Sequence, residues 1–484
     1  MHRERSVWMT EAVEKLTKKS EDPSRWYLQL VRMAKLADYG PVRGTFAIRP
    51  YGYALWERIQ ADLDARFKAT GHQNAYFPLL IPESFLRKEA QHVEGFDPEL
   101  AWVTIGGREK LEEPLAIRPT SESIICDFYR NWIQSYRDLP ILINQWCNVL
   151  RWEMVTRPFL RTAEFLWQEG HTVHATAGEA REETLKMLGV YRDCFYEALT
   201  IPVLIGAKSA SERFAGAEET FACEALMGDG RALQAATSHY LGQNFARAFD
   251  ITFLDENQER VHPYQTSWGF STRTIGGLIL VHGDDRGLKL PPKLAPTQAV
   301  IVPIWRGQNK GEVRREAEAL YSELADSGLR MEVDFDEEHS PGWKFNEHEL
   351  RGVPVRVELG PKDIEKNQVV LVRRDTGEKE FAARAGLAER LQALLIEIQE
   401  SMLRQATEFR DSNTRHAETY DEFKEIIEEK RGFVVAPWDG TEETEQKIKD
   451  DTKATIRLLP FDRQEGKDPV SGKPGQSAIF ARAY

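Results

Sequence analysis

The chain is poor in cysteine. Its four, Cys126, Cys147, Cys194 and Cys223, all lie in the first half and none forms a Cys-x-x-Cys pair. That excludes a disulfide framework and a cysteine-based metal cage, and leaves buried free thiols as the expectation. No apolar run approaches the roughly 20 residues that span a bilayer, so no membrane segment is expected. The start, Met1-His2-Arg3-Glu4-Arg5 followed by Ser6-Val7-Trp8-Met9 and a mixed charged stretch, has no apolar signal core, which points to a cytoplasmic location. Positive charge is not in excess either. With 64 Lys and Arg against 77 Asp and Glu the formal charge is −13, whereas a protein that coats nucleic acid along its length is usually basic. Any RNA contact must therefore come from a local patch. Internal repeats and low-complexity tracts are also missing.

What is present suits a soluble, globular protein: 41% hydrophobic and 29% charged residues in a chain of 484. At about 150 residues per domain, this length predicts about three domains. Leu55, Ile59, Leu63 and Phe67 recur every four residues and predict an amphipathic helix over 51–70, ended by Thr70-Gly71. Ala75–Pro82 reads as a strand with proline at its edge. A strand, loop and strand follow between 140 and 175, a short strand and helix over 231–255, and a strand, turn and apolar helix over 269–285. The proline-dense stretch Leu290–Pro296 marks a domain boundary. Beyond it the apolar strand Ala299–Ile304, a helix around 312–327, and strands at Arg330–Asp334 and Val353–Leu359 predict a small α/β domain with a mainly parallel sheet. A long helix, about 387–412, links it to a last segment rich in charge and turns.

The chemistry concentrates in one hairpin. Val149-Leu150-Arg151-Trp152-Glu153, read as a strand, puts Arg151 and Glu153 on one face. A loop with Arg157 and Arg161 follows, and the return strand runs from Glu164 to His171. Its odd positions, Phe165, Trp167, Glu169 and His171, share a face that mixes aromatics with a carboxylate and an imidazole. Such a face is poor as core and good for a small amphipathic ligand beside a purine. From this hairpin alone, a surface hairpin with an incidental ion pair stands equally open.

These residues resemble motif 2 of the class II aminoacyl-tRNA synthetases in its prolyl form, and the other signatures arrive in order. Gly71–Pro82 with Pro78 is similar to motif 1, which in the family builds a dimer interface. Arg118-Pro119-Thr120-Ser121-Glu122 resembles the prolyl Thr-x-Glu loop, Leu233–His239 resembles the segment around Gln, Thr and His, and Trp268–Arg273 resembles motif 3. The resemblance, to prolyl-tRNA synthetases of the eukaryote/archaeon-like type, covers nearly the whole chain. It implies an α/β multidomain protein: a class II antiparallel-sheet catalytic domain (1–292), an α/β anticodon-binding domain (293–402), and a linker helix with a small α/β C-terminal domain (403–484).

The resemblance also implies ATP-dependent ligation of L-proline to tRNA(Pro) through a prolyl-adenylate. The attacking carboxylate is already an anion, so positioning and charge stabilisation carry the catalysis. Arg151 is expected on the α-phosphate and the proline carboxylate, and Arg273 at the far end of ATP. Arg161 and Thr162 should reach ATP from the loop, Phe165 should stack on adenine, and Glu153 should take the adenine amino group or a metal. Gln234 and Thr237 fall near ATP and Mg²⁺ by resemblance, and Mg²⁺ uses few protein ligands. Thr120, Glu122 and Glu169 should accept from the secondary ammonium, Trp167, Phe214 and Trp268 should wall the ring, and His171, His239 and Ser271 complete the proline and ATP sites by resemblance. The stretch from His171 to Trp268 is too short for an editing domain, so none is expected.

Residues 297–400 resemble the anticodon-binding domain, with Arg356, Glu358, Lys362 and Asp363 as candidates for the anticodon and Lys366, Arg373, Arg374 and Lys379 as a basic strip. The last part, Glu422–Tyr484, resembles the extra C-terminal domain, which in many relatives holds zinc with four cysteines. Here Ala436–Thr441 and Lys467–Lys473 contain none, so no zinc site is expected. The ending Phe480–Tyr484 suggests a tyrosine that reaches back toward the active site. A non-catalytic relative would be expected to lose Arg151, Glu153 or Arg273, and a threonyl enzyme would be expected to carry a catalytic zinc site; neither pattern is seen. A homodimer is implied by likeness only.

Overall fold

The computed structural model describes residues 15–92, 100–305 and 307–484. The chain divides into two compact units, one made of Ala37–Val281, Pro291–Pro296 and Ile396–Tyr484, the other of residues up to Leu36 with His282–Leu290 and Thr297–Leu395.

The larger unit is organised by a seven-stranded sheet. Its strands are β1 (Gln73–Asn74), β2 (Ile141–Leu150), β3 (Glu164–His174), β4 (Leu204–Ala207), β5 (Glu219–Leu226), β6 (Ala232–Gly242) and β7 (Tyr264–Ser271), in the order β1-β2-β3-β7-β6-β5-β4. Every pair is antiparallel except β1 on β2. Helices α1 (Pro50–Ala69) and α3 (Ala177–Glu197) pack on one face, while α2 (Glu122–Trp132) and α4 (Arg273–His282) follow the loops that open the other. The expected stripe Leu55, Ile59, Leu63 and Phe67 is buried, and α1 stops where Gly71 turns left-handed at φ +89°.

On this helical face even-numbered residues of β3 and β7 make the core, because strand side chains alternate. Trp268 of β7 lies 5.0 Å from Phe67, and Phe270 stacks 5.9 Å from Tyr191, ring to ring. The Tyr191 hydroxyl donates to Gln168 at 2.7 Å. The Trp268 indole lies over Gly170, where an added Cβ would come within 2.1 Å of the ring, so β3 must carry glycine there. The odd-numbered residues of β3 and β7 are thereby turned toward the opposite, polar face.

Three local expectations are corrected. Ala75–Pro82 is not one strand: only Leu80–Pro82 pairs in it, as part of a separate three-stranded sheet. Pro78 has no N–H, and Phe77 instead donates its N–H to the Gln145 side chain at 2.5 Å and its carbonyl accepts from Arg118 at 2.9 Å. Arg151 and Glu153 sit just past the end of β2, where the Arg151 N–H still donates to Ala163 at 2.8 Å. The strand read as short, β6, has 11 residues, and the helix after it, Asn244–Ala248, has only five.

The smaller unit holds β8 (Ala299–Pro303), β9 (Met331–Val333), β10 (Val355–Leu359), β11 (Gln368–Arg373) and β12 (Lys379–Ala383), in the order β9-β8-β10-β11-β12. The sheet is mixed rather than mainly parallel: β9, β8 and β10 run parallel, then β11 and β12 reverse. The links after β10 and β11 are too short for the dozen or so residues of a parallel crossover. Helices α5 (Lys310–Leu324) and α6 (Pro341–Leu350) belong to the same unit, and α7 (Leu387–Ser412) spans the expected linker.

The last part of the larger unit is a second sheet, β13 (Thr414–His416), β14 (Phe433–Trp438), β15 (Ala454–Leu458) and β17 (Pro474–Arg482) in the order β13-β14-β17-β15, with β16 (Glu465–Lys467) beside β17 and α8 (Glu442–Thr452) packed on β15. Phe423, Val434, Ile448, Ile456 and Phe480 form its core. A second cluster joins it to the seven-stranded sheet, with Ala222 and Leu226 meeting Phe433, Leu458 and Ile479. The two stretches without cysteine are tied by carboxylates. Asp468 accepts from the N–H groups of Asp439, Val470 and Ser471, and Asp439 accepts from Thr441 and Thr444. Among the described residues no group of three or more His, Cys, Asp or Glu could hold a metal.

Candidate active site

The polar face of the seven-stranded sheet carries a cavity of about 420 Å³, within the range usual for small-molecule sites. Residues far apart in sequence meet there because β3, β7 and β6 are neighbours: His171 pairs with Ser267, and Ser267 with His239.

One end is acidic. Glu169 is buried at 2% exposure. Its Oε1 accepts from the Ser121 hydroxyl, from Gln145 Nε2 at 2.9 Å and from Cys147 Sγ at 3.3 Å, while Oε2 lies 3.0 Å from His171 Nε2. Burial alone would push this carboxyl up, but His171, Ser121 and Gln145 outweigh it and hold Glu169 below the usual range. His171 responds in the opposite sense: burial disfavours its charge, yet Glu169 and then Glu122 raise it. Glu122 opens α2 and accepts from the Thr120 hydroxyl. The loop before it is fixed by Arg118, whose guanidinium, 1% exposed as a residue, donates to the carbonyls of Phe77 and Asn148. His239 stays neutral, pushed down to about 3 by burial and then by His171. Its Nδ1 lies 3.0 Å from Thr220 Oγ1, and its ring is 4.6 Å from that of Phe214.

The other end is basic. Arg151 donates through Nε to the Pro119 carbonyl at 3.0 Å and lies 5.5 Å from both the Phe165 and Trp167 rings. Arg273, at the start of α4, donates through Nε to the Leu160 carbonyl at 3.1 Å, and its N–H donates to Ser271 Oγ. Among the described residues neither arginine forms an ion pair. Burial, then the charges of Arg151 and Arg161, push Arg273 down to about 10. Half-buried guanidinium groups without ion pairs make a site for a polyanion.

Of the residues singled out by sequence, Thr120, Glu122, Arg151, Phe165, Trp167 and Glu169 border this cavity, as do His171, Phe214, Gln234, Thr237, His239, Trp268, Ser271 and Arg273. Trp268 does so with its ring turned to the helical face, so the flat floor near Trp167 is Gly269, whose Cβ position lies 3.6 Å from that indole. Three fall outside the lining. Glu153 and Arg161 form an ion pair at 2.7 Å, and Thr162 is buried in the loop. Residues missed by sequence reasoning are Ser121 and Gln145, which hold Glu169, and Glu212, Thr220 and Ser267, which line the cavity. Gln145 pairs directly with Glu169 across β2 and β3, a signal visible only once the register is known. Ser267 Oγ is buried with no hydrogen-bond partner among the described residues.

Tyr484 lies at the rim of the β5–β6 turn. Its hydroxyl donates to Asp229 at 3.0 Å, its ring is 3.8 Å from the Arg231 guanidinium and 5.5 Å from that of Arg157, and burial with the Asp229 charge pushes it up to about 12.

In the smaller unit the anticodon candidates are corrected in part. Arg356 and Glu358 do not present free edges. Both are 7% exposed on β10, and the guanidinium is bound to Glu358 at 3.0 Å and Glu349 at 3.1 Å. Asp363 accepts from the Gly360 N–H as a helix cap. Lys362 is exposed. The basic strip is also reduced, since Arg373 pairs with Asp375 and Arg374 with Asp284.

The chain resembles known proteins along its length. Residues 102–282 match the model of the tRNA synthetase class II core domain (G, H, P, S and T), 298–394 the anticodon binding domain, and 420–484 the prolyl-tRNA synthetase C-terminal domain. It is 85% identical over 476 residues to the proline–tRNA ligase of Rubrobacter xylanophilus, covering 98% of this chain and 100% of that one. Identity to the ligase of Natranaerobius thermophilus is 57% over 478 residues, 98% of this chain and 99% of the relative. With the ligase of Chlorobium phaeobacteroides it is 57% over 480, 97% and 99%.

Proposed function

The chain belongs to the class II prolyl-tRNA synthetases, the proline–tRNA ligases, and on that premise we propose that it couples ATP to the joining of L-proline and tRNA(Pro) through a prolyl-adenylate. A proline carboxylate oxygen attacks the α-phosphorus of ATP, the bond to the bridging oxygen breaks, and pyrophosphate leaves. A ribose hydroxyl of the tRNA end then attacks the prolyl carbonyl and AMP leaves. One observation carries this reading: a single cavity has two buried carboxylates, Glu122 and Glu169, at one end and two arginines without ion pairs, Arg151 and Arg273, at the other. That polarity fits an ammonium at one end and phosphates at the other.

Arg151 takes the α-phosphate and the proline carboxylate, and Arg273 the distal phosphates. Thr120, Glu122 and Glu169 accept from the secondary ammonium. Trp167 and Phe214 wall the ring, and His171 holds Glu169 in place. Phe165 stacks on adenine, with Ser271, Gln234 and Thr237 beside the nucleotide. Glu153, Arg161 and Thr162 act from the loop, once ATP draws Arg161 from its partner. Mg²⁺ fits the oxygen donors of Gln234 and Thr237, and when bound it neutralises phosphate charge; most of its ligands would be water and phosphate.

We assign the eukaryote/archaeon-like type on the C-terminal domain at 420–484 and the short link between motifs 2 and 3, although the relatives named above are bacterial. The division into 1–292, 293–402 and 403–484, the lack of an editing domain and of zinc, a homodimer and a cytoplasmic location belong to the same reading. No helix among the described residues is long and apolar enough to cross a membrane. Lys362 is retained for the anticodon, with Arg356, Glu358 and Asp363 shaping the surface around it. Amino-acid-dependent pyrophosphate exchange tests the whole: proline should support it, and exchange with another amino acid but not with proline would overturn the assignment. One zinc per chain by elemental analysis would overturn the metal-free C-terminal domain.

A further inference from the structure

The segment 208–218, between β4 and β5, supplies Glu212 and Phe214 to the amino-acid end of the cavity. Its far end is pinned locally, since the Phe214 N–H donates to Thr220 Oγ1 at 3.1 Å. Its near end is held by the C-terminal domain. Ala207 and Leu459 exchange two main-chain hydrogen bonds of 2.9 and 2.7 Å. The next two side chains are held as well: Lys208 Nζ donates to the Arg457 carbonyl at 3.0 Å, and the Ser209 hydroxyl donates to Glu445 at 2.8 Å.

Under this junction lies a buried charge cluster. Arg457 forks onto Glu224, with Nη2 2.8 Å from Oε1 and Nε 3.2 Å from Oε2, and Lys208 Nζ is 3.5 Å from Glu224 Oε1. Lys208, Glu224 and Arg457 are 4%, 0% and 5% exposed. Two cations and one anion leave a net positive charge where water is excluded, a costly arrangement unless a further carboxylate approaches. Glu212 is that carboxylate: its Oε2 lies 3.8 Å from Lys208 Nζ, while the residue borders the cavity. Burial also depresses the Lys208 ammonium, against the pull of Glu224. Charge balance in the cluster and the placement of Glu212 at the cavity wall are therefore one arrangement.

We propose that Lys208, Glu224 and Arg457, with Ser209 and Glu445, are positioning residues through which the C-terminal domain sets the 208–218 segment, and with it Glu212 and Phe214, against the amino acid. This deepens the functional reading above and rests on it. The domain then contributes to recognition of the amino acid rather than of ATP, without touching either.

The test is pyrophosphate exchange with proline and ATP varied separately, on the full chain and on Lys208→Met, Ser209→Ala, Arg457→Met and Arg457→Lys. Lys208→Met leaves the neutral Glu224–Arg457 pair intact, so the fold should persist while Glu212 loses its partner. In Lys208→Met and Arg457→Met the KM for proline should rise about tenfold, which corresponds to losing one charge-assisted contact, with the KM for ATP within about twofold of the parent. Ser209→Ala should shift the same constant less, and Arg457→Lys should recover most of the loss. A folded Lys208→Met with unchanged KM for proline would overturn the proposal, and so would equal rises for proline and ATP. A parent chain silent with proline would sink the functional reading first, and this inference with it.

Discussion

The two ends of the cavity are built in opposite ways. At the acidic end nearly every polar group already has a partner inside the protein: Glu169 is held by Ser121, Gln145, Cys147 and His171, and Glu122 by Thr120. At the basic end Arg151 and Arg273 each have one side-chain donor fixed to a main-chain carbonyl and, among the described residues, no ion pair. The first end is a finished mould, in which a ligand must match groups already in place. The second crowds Arg273 against Arg151 and Arg161, offset only in part by Glu153 and Glu224, and an incoming anion relieves the remainder. Selectivity thus resides where hydrogen bonds are saturated, and driving force where they are not.

The comparison is most exposed to failure at Arg151. Arg151→Ala should cut proline-dependent exchange by about 10³-fold, the loss expected when one donor to developing charge is removed, with the fold intact by circular dichroism. Activity within tenfold of the parent would place the phosphate contact elsewhere. At the other end Glu169→Gln should raise the KM for proline by about 10- to 100-fold, a charged hydrogen bond being worth about 1.5–3 kcal/mol, and leave that for ATP nearly unchanged. Equal shifts in both constants would erase the distinction between the ends.

Gly170→Ala attacks the scaffold that both ends share. The new methyl meets the Trp268 indole, so a loss of about 1–3 kcal/mol in chemical denaturation is expected, with neither KM singled out. Titration probes the same scaffold. His239 and His174 are neutral in the fold, held down to about 3 and about 4 by burial. Below about 6.5 the unfolded chain takes up protons that the folded one refuses, so stability falls as pH drops toward those values, by up to about 1.4 kcal/mol per pH unit per histidine. His171 works the other way: its contribution is present below the unfolded value and is lost as pH rises through its raised one. Thermal midpoints against pH should show the acid slope, and His239→Gln should flatten it. The nucleotide end, with Arg273 at about 10, should contribute nothing in that window.

What was legible in the sequence follows the same divide. Alternation along Phe165, Trp167, Glu169 and His171 identified the wall of the cavity, because side-chain direction on a strand is a local property. The partners that tune Glu169 were not legible: Gln145 reaches it through strand register, and Ser121 through a loop fixed by Arg118. Arg356 and Glu358 were singled out because Arg and acidic groups suit base edges; residue type could not show that the two charges close on one another and on Glu349. Ala75–Pro82 looked like a strand by composition, yet the main-chain groups of Phe77 are met by the side chains of Gln145 and Arg118, which no window of neighbouring residues can reveal. Helices α1 and α7 were read nearly to the residue, since their apolar period is sustained over many turns.

The exchange of main-chain bonds between Ala207 and Leu459 has a consequence for biogenesis. Strand β4 is the outer strand of the catalytic sheet, and an uncovered outer strand is a template for aggregation. Its cover lies about 250 residues downstream, so a ribosome must make the whole anticodon-binding domain before that edge can be closed. The nascent chain therefore carries a finished-looking but unsealed sheet for much of its synthesis, and truncated products that stop before β15 should be the ones that call for chaperones.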